Sequence, residues 1–91
     1  MDNQVFIVVT TSTERYDDAF SQTIRWFSDE QEARDFFKEE IKGICDNLRN
    51  FNKEEENDGR EVICDVYENE ANIVNTGDNA EIWQVNFYYL F

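Results

Sequence analysis

Ala33, Phe36, Phe37, Ile41, Ile44, Cys45 and Leu48 recur at spacings of one, three and four residues. An α-helix turns once every 3.6 residues, so this spacing gathers the seven side chains into one apolar stripe. Ser28 stands just before the run and Gln31 three residues on, the arrangement of a capping box. Asp29, Glu30 and Glu32 fall in the first turn and Arg49 near the far end, each where the helix dipole favours its charge. The pattern predicts a helix over 29–49, roughly 30 Å long at 1.5 Å per residue. A helix with one apolar side needs an apolar surface to lie against.

Strand-like segments flank it on both sides. Val5, Phe6, Ile7, Val8, Val9 and Thr10 form a continuous run rich in β-branched residues, as expected of a central strand buried on both faces. Residues 11–18 are polar and read as a loop. A second strand is expected over 21–27, where Ile24 and Trp26 alternate with Thr23 and Arg25. Residues 51–60 are acidic, poor in apolar side chains and closed by Asp58-Gly59, a turn signal. A third strand follows over 61–67, with Val62, Cys64 and Val66 on one face. Glu68, Asn69 and Glu70 read as a tight turn, 72–76 as a short fourth strand, and Gly77, Asp78 and Asn79 as another turn. The last strand, 81–90, is apolar-rich on both faces. Trp83, Val85, Phe87, Tyr89 and Phe91 share one, and Ile82, Gln84, Asn86, Tyr88 and Leu90 the other.

The order is β-β-α-β-β-β. It predicts a single α+β domain over 1–91, a two-layer sandwich with a mostly antiparallel sheet of about five strands and one long amphipathic helix on one face. Aromatic residues make up 15% of the 91, enough to furnish a core that the aliphatic side chains alone would leave thin. One helix covers one face of such a sheet. Phe27, Ile63, Tyr67 and either the Trp83 or the Tyr88 set are therefore expected on the open side. Tyr67, Trp83 and Tyr88 are the candidates for a homodimer face.

Several chemistries are excluded or disfavoured. The chain has no histidine, so Ser-His-Asp and Cys-His nucleophile arrangements cannot be built from it. Cys45 and Cys64 both point toward the predicted core and read as small buried residues in contact, not as a redox pair or the framework of a secreted domain. Asp17, Asp18 and the Glu54-Glu55-Glu56 run lie on predicted loops, with no cleft to shift a carboxyl toward neutrality. Glu54, Glu56 and Asp58-Gly59, followed by Asp65, loosely match EF-hand spacing. The first ligand is Glu, Glu61 fills a normally apolar position, and the flanks are not two helices. At most this marks a weak divalent-cation site. No enzyme activity, resident metal or cofactor is expected.

The charge is the most unusual property. Twenty-one acids against eight bases give −13 at pH 7. Residues 51–80 hold nine acids and two bases. Direct binding to nucleic-acid phosphates or anionic membranes is disfavoured. No run of 18 apolar residues predicts a transmembrane helix, the start of the chain lacks a secretory pattern, and a cytoplasmic location is expected. Glu54, Glu55, Glu56, Asp58, Glu61, Asp65, Glu68 and Glu70 are expected to form one negative surface that engages a basic partner. In size and charge the chain is similar to small acidic proteins of phages and mobile elements, including inhibitors of defence nucleases. The likeness is one of type, with no residue motif behind it. It implies a non-enzymatic protein-binding module in which carboxylates stand where phosphates would. The alternatives are a small homodimeric structural or regulatory domain whose charge serves solubility, and, more remotely, a weak cation or small-molecule binder.

Overall fold

A computed structural model describes residues 4–14, 20–54, 60–77 and 80–90, the side chains of Glu14, Phe20 and Glu54 excepted. The elements are β1 (Val5–Glu14), β2 (Phe20–Phe27), α1 (Glu30–Glu54), β3 (Val62–Val66), β4 (Glu70–Asn75) and β5 (Glu81–Leu90). The strands form one sheet in the order β2-β1-β5-β4-β3, and every neighbouring pair is antiparallel. This is the α+β arrangement, in the element order, that the sequence predicts.

Alternation along each strand decides what meets the helix. In register across the sheet, Phe6 and Val8 of β1, Val85 and Phe87 of β5, and Ala71 and Ile73 of β4 share one face. They pack against Ala33, Phe37, Ile41, Ile44, Cys45 and Leu48 of α1, and all twelve are buried. The helical stripe and the even positions of β1 are thus two sides of one core. Phe27 belongs to this face too. Its ring lies 5.3 Å from that of Phe36, centroid to centroid, with the guanidinium of Arg25 5.4 Å over Phe36. Phe27 is therefore not on the open side.

Four local expectations shift. β1 does not end at Thr10. It continues to Glu14, because Thr11, Ser12 and Thr13 still pair with β2 on one side and β5 on the other. The helix begins one residue later than Ser28 predicts: Asp29 caps it, accepting from the Gln31 N–H through Oδ1 at 3.4 Å. The helix also runs beyond Arg49 to Glu54. A reason is visible within the last turn, where Asn52 and Asn75 exchange amide hydrogen bonds of 2.8 and 3.0 Å. Asn75 is fully buried, so this exchange supplies the partner that burial would otherwise deny it. Finally, β4 begins at Glu70, whose carbonyl accepts from the Tyr67 N–H at 2.7 Å and closes the β3–β4 turn.

Cys45 and Cys64 are joined as a disulfide between α1 and β3. The sequence places them in contact; the covalent link goes further than that. Arg49, one turn along α1, has Nη2 4.0 Å from the Cys64 sulfur.

Candidate functional site

Two surface features stand out: the open face of the sheet, and a cleft beside the start of the helix. The open face follows from strand register. Ile7 sits between Trp26 and Tyr88, and Val9 between Ile24 and Asn86. Next come Thr11, Gln22 and Gln84, continued by Asn72 and Asp65. Beyond them Thr13 and Ile82 line up with Val74 and Ile63. The face is therefore banded, apolar at one end, polar across the middle and apolar again at the other end. Trp26 is 64% exposed and Tyr88 50%, with Ile24, Leu90, Ile82 and Ile63 also exposed. Ile7, at the centre of the first band, is buried because the two aromatic side chains flank it.

Charge divides between the two sides of the sheet. No described residue on the open face is Lys or Arg. Arg34, Lys38, Lys42, Arg49 and Lys53 are on α1, and Arg25 is on the helix side of β2. Arg60 lies against Gly77, whose φ of +123° suits glycine and whose missing side chain leaves room for the arginine. The open face does carry Asp65 and Glu70, both exposed. Glu61 extends the β3–β4 ladder on the same side through the Thr76 N–H, which donates to its carbonyl at 2.9 Å. These three carboxylates lie toward the β3 side of the sheet, Glu70 on β4.

Glu68 departs from that group. It occupies the β3–β4 turn and borders the cleft on the helix side. Glu54 ends α1, and Glu55, Glu56 and Asp58 lie outside the described residues. The predicted eight-carboxylate surface is thus represented by three residues on one margin and one across the sheet edge from them. The aromatic candidates separate as well. Tyr88 is on the open face. Trp83 is one residue out of phase with the open set and packs partly buried against the core, with Nε1 donating to Glu81 at 3.4 Å. Tyr67 lines the cleft.

The cleft has a volume of about 430 Å³, with Glu30, Arg34, Lys38, Tyr67, Glu68 and Tyr89 among its walls. Arg34 dominates it. Its Nη1 donates to the Glu68 carbonyl at 2.7 Å and its Nη2 to Asn69 Oδ1 at 2.8 Å and to the Tyr89 hydroxyl. The guanidinium also lies 3.9 Å over the Phe87 ring. Sequence spacing pairs Arg34 with Glu30, four residues earlier. In the structure Arg34 reaches across to the turn, and Glu30 accepts from the Tyr89 hydroxyl at 3.3 Å. The planar five-donor guanidinium suits this task, binding several acceptors while stacking on an aromatic face. Three of its hydrogen bonds thereby hold the turn and the end of β5 to the helix. The Arg34 clasp and the Asn52–Asn75 pair are absent from the sequence reading, since residues 35 and 23 apart leave no periodic signal.

Among the described residues, no group of three or more His, Cys, Asp or Glu is placed to hold a metal ion. The Glu54-to-Asp65 spacing falls largely outside them. No helix of the described residues is long and apolar enough to cross a membrane. Compared with protein-family models, with curated proteins and with solved structures, the chain matches none.

Proposed function

We propose that the domain is a non-enzymatic protein-binding module whose acidic margin engages a basic partner in the manner of a nucleic-acid mimic. The observation that carries this reading is the segregation of charge. Glu61, Asp65 and Glu70 stand exposed on a face that shows no cation among its described residues, in a chain of net charge −13. Asp65 and Glu70, with no cation among the described residues of their face, are not neutralised there. At physiological ionic strength their field reaches about 8 Å, so it acts on whatever comes into contact. A partner built to hold nucleic-acid phosphates offers the clustered Lys and Arg that such a margin fits. Complementary charge also speeds encounter and makes it sensitive to salt. Size and acidity fit an inhibitor that occupies such a site.

The test is retention of a partner from a bacterial lysate on the immobilised protein, eluted in steps of rising salt. The expected outcome is a basic nucleic-acid-binding protein, released at moderate salt and displaced by added duplex DNA. It should not be retained by the triple variant Glu61→Lys, Asp65→Lys, Glu70→Lys. Retention unchanged by the triple reversal, or no retention at low salt, rejects the proposal.

A further inference from the structure

We infer that the open face of the sheet is an interface between two copies of this chain, related by a two-fold axis running along the strands. The inference rests on the apolar bands and is independent of the acidic-margin reading.

Charge comes first. Two molecules of −13 repel each other, and charges carried into an interface lose their hydration. A second copy can approach at low cost only where charge is missing. The open sides of β2, β1 and β5 supply such a surface. Their described side chains include Gln22, Ile24, Trp26, Ile82, Gln84, Tyr88 and Leu90, with no ionisable carboxylate or cation among them. Asp65 and Glu70 are confined to β3 and β4, at one side. In an interface centred on the three uncharged strands, they fall toward a rim that water still reaches.

Pattern comes second. A symmetric dimer requires a surface complementary to itself. Rotation about an axis along the strands places each band over its own counterpart. The Trp26–Ile7–Tyr88 band meets the same band, and the polar Gln22–Thr11–Gln84 band meets its equal, whose amides and hydroxyls both donate and accept. The same rotation reverses the strand order and sends the two β3 margins to opposite sides. Rotation about an axis across the strands would also match apolar bands, but it would set Asp65 against its own copy and Glu70 against the apolar Val74. Axes along the strands also give the aligned sheet-on-sheet packing that β-sandwiches use.

Area comes third. The three uncharged strands, of ten, eight and ten residues, about 4.8 Å apart with about 3.3 Å per residue, give a face of roughly 440 Å² in flat projection. Side-chain relief raises the accessible area above the projection, toward the roughly 600 Å² per partner at the lower end of standard stable interfaces.

The experiment is the solution mass of the full chain by light scattering and sedimentation, from 10 to about 200 µM, in 0.15 and 1 M NaCl. A doubled mass is expected, held more tightly at high salt because screening weakens repulsion while leaving apolar burial intact. Tyr88→Glu and Trp26→Glu should each give a monomer with an unchanged far-UV spectrum. Asn47→Glu, which adds the same charge at an exposed helical position, should remain dimeric. If either glutamate variant unfolds, Tyr88→Gln and Trp26→Gln replace it and should weaken the dimer at least tenfold. A wild-type monomer at the highest concentration in both salts overturns the inference. So does a dimer that survives both face substitutions.

Discussion

Arg34 holds two pieces of backbone that the chain order keeps far apart. Its guanidinium ties Glu68 and Asn69 to the first turns of α1 while stacking on Phe87. Removing it leaves the Glu68 carbonyl and the Asn69 amide without this donor and uncovers an aromatic ring. Arg34→Ala should therefore lower the free energy of unfolding by about 2 kcal/mol in urea titration. Arg34→Lys should recover little of it, since an ammonium cannot reproduce the fork. Asn52 and Asn75 allow a cleaner comparison. Asn52→Ala leaves a fully buried amide unpaired and should cost about 1–3 kcal/mol. The double change Asn52→Leu with Asn75→Leu removes both polar groups together, and should cost less than the single change does. Neither feature can be read from the sequence. Local spacing offers Arg34 a partner at Glu30, and nothing near Asn75 marks it as internal. Both depend on which elements the fold sets side by side.

At the scale of elements, legibility follows periodicity. The stripe from Ala33 to Leu48 identifies the helix because seven side chains repeat one period. β1 is legible only as far as Thr10. Its continuation through Thr11, Ser12 and Thr13 has no apolar alternation and depends on two neighbouring strands. β5 shows the complementary difficulty. Both of its faces are apolar, so only pairing with β1 and β4 decides that Tyr88 is outward and Trp83 inward. A one-residue slip would exchange them. β3 is the shortest strand, at a sheet edge and paired only with β4. The Cys45–Cys64 bridge ties it to α1 across a separation of 19 residues. Closing a loop of that length constrains the unfolded chain by about 3 kcal/mol. Reduction with dithiothreitol should lower the urea midpoint accordingly. Cys45→Ala with Cys64→Ala should make the midpoint insensitive to the reductant.

At the scale of the whole molecule, the sheet separates two kinds of surface. The helix side carries the described cations of α1 and β2 and most of the packing, while the open side carries apolar bands with an acidic margin. The acid excess is legible in the sequence, and so is the expectation of an uncovered face. The division between them is not, because it emerges only when five strands settle into one order. The triple reversal on the β3 margin and the glutamate substitutions at Tyr88 and Trp26 address opposite parts of that surface. Their outcomes should be separable: the first acts on partner retention, the second on solution mass.

The sheet order has a consequence for how the chain reaches this state. β1 and β5, the first and last strands, lie side by side at the heart of the sheet, with Val5 opposite Leu90. That pairing closes nearly the whole chain into a loop, and folds dominated by such distant contacts are the slower ones to form. During synthesis β1 can join β2 early, but its other edge must wait for the final ten-residue strand to emerge. Until then a long, β-branched edge stands unpaired, the kind of template on which strands of other chains assemble. The middle of the finished sheet is thus the last part to be closed.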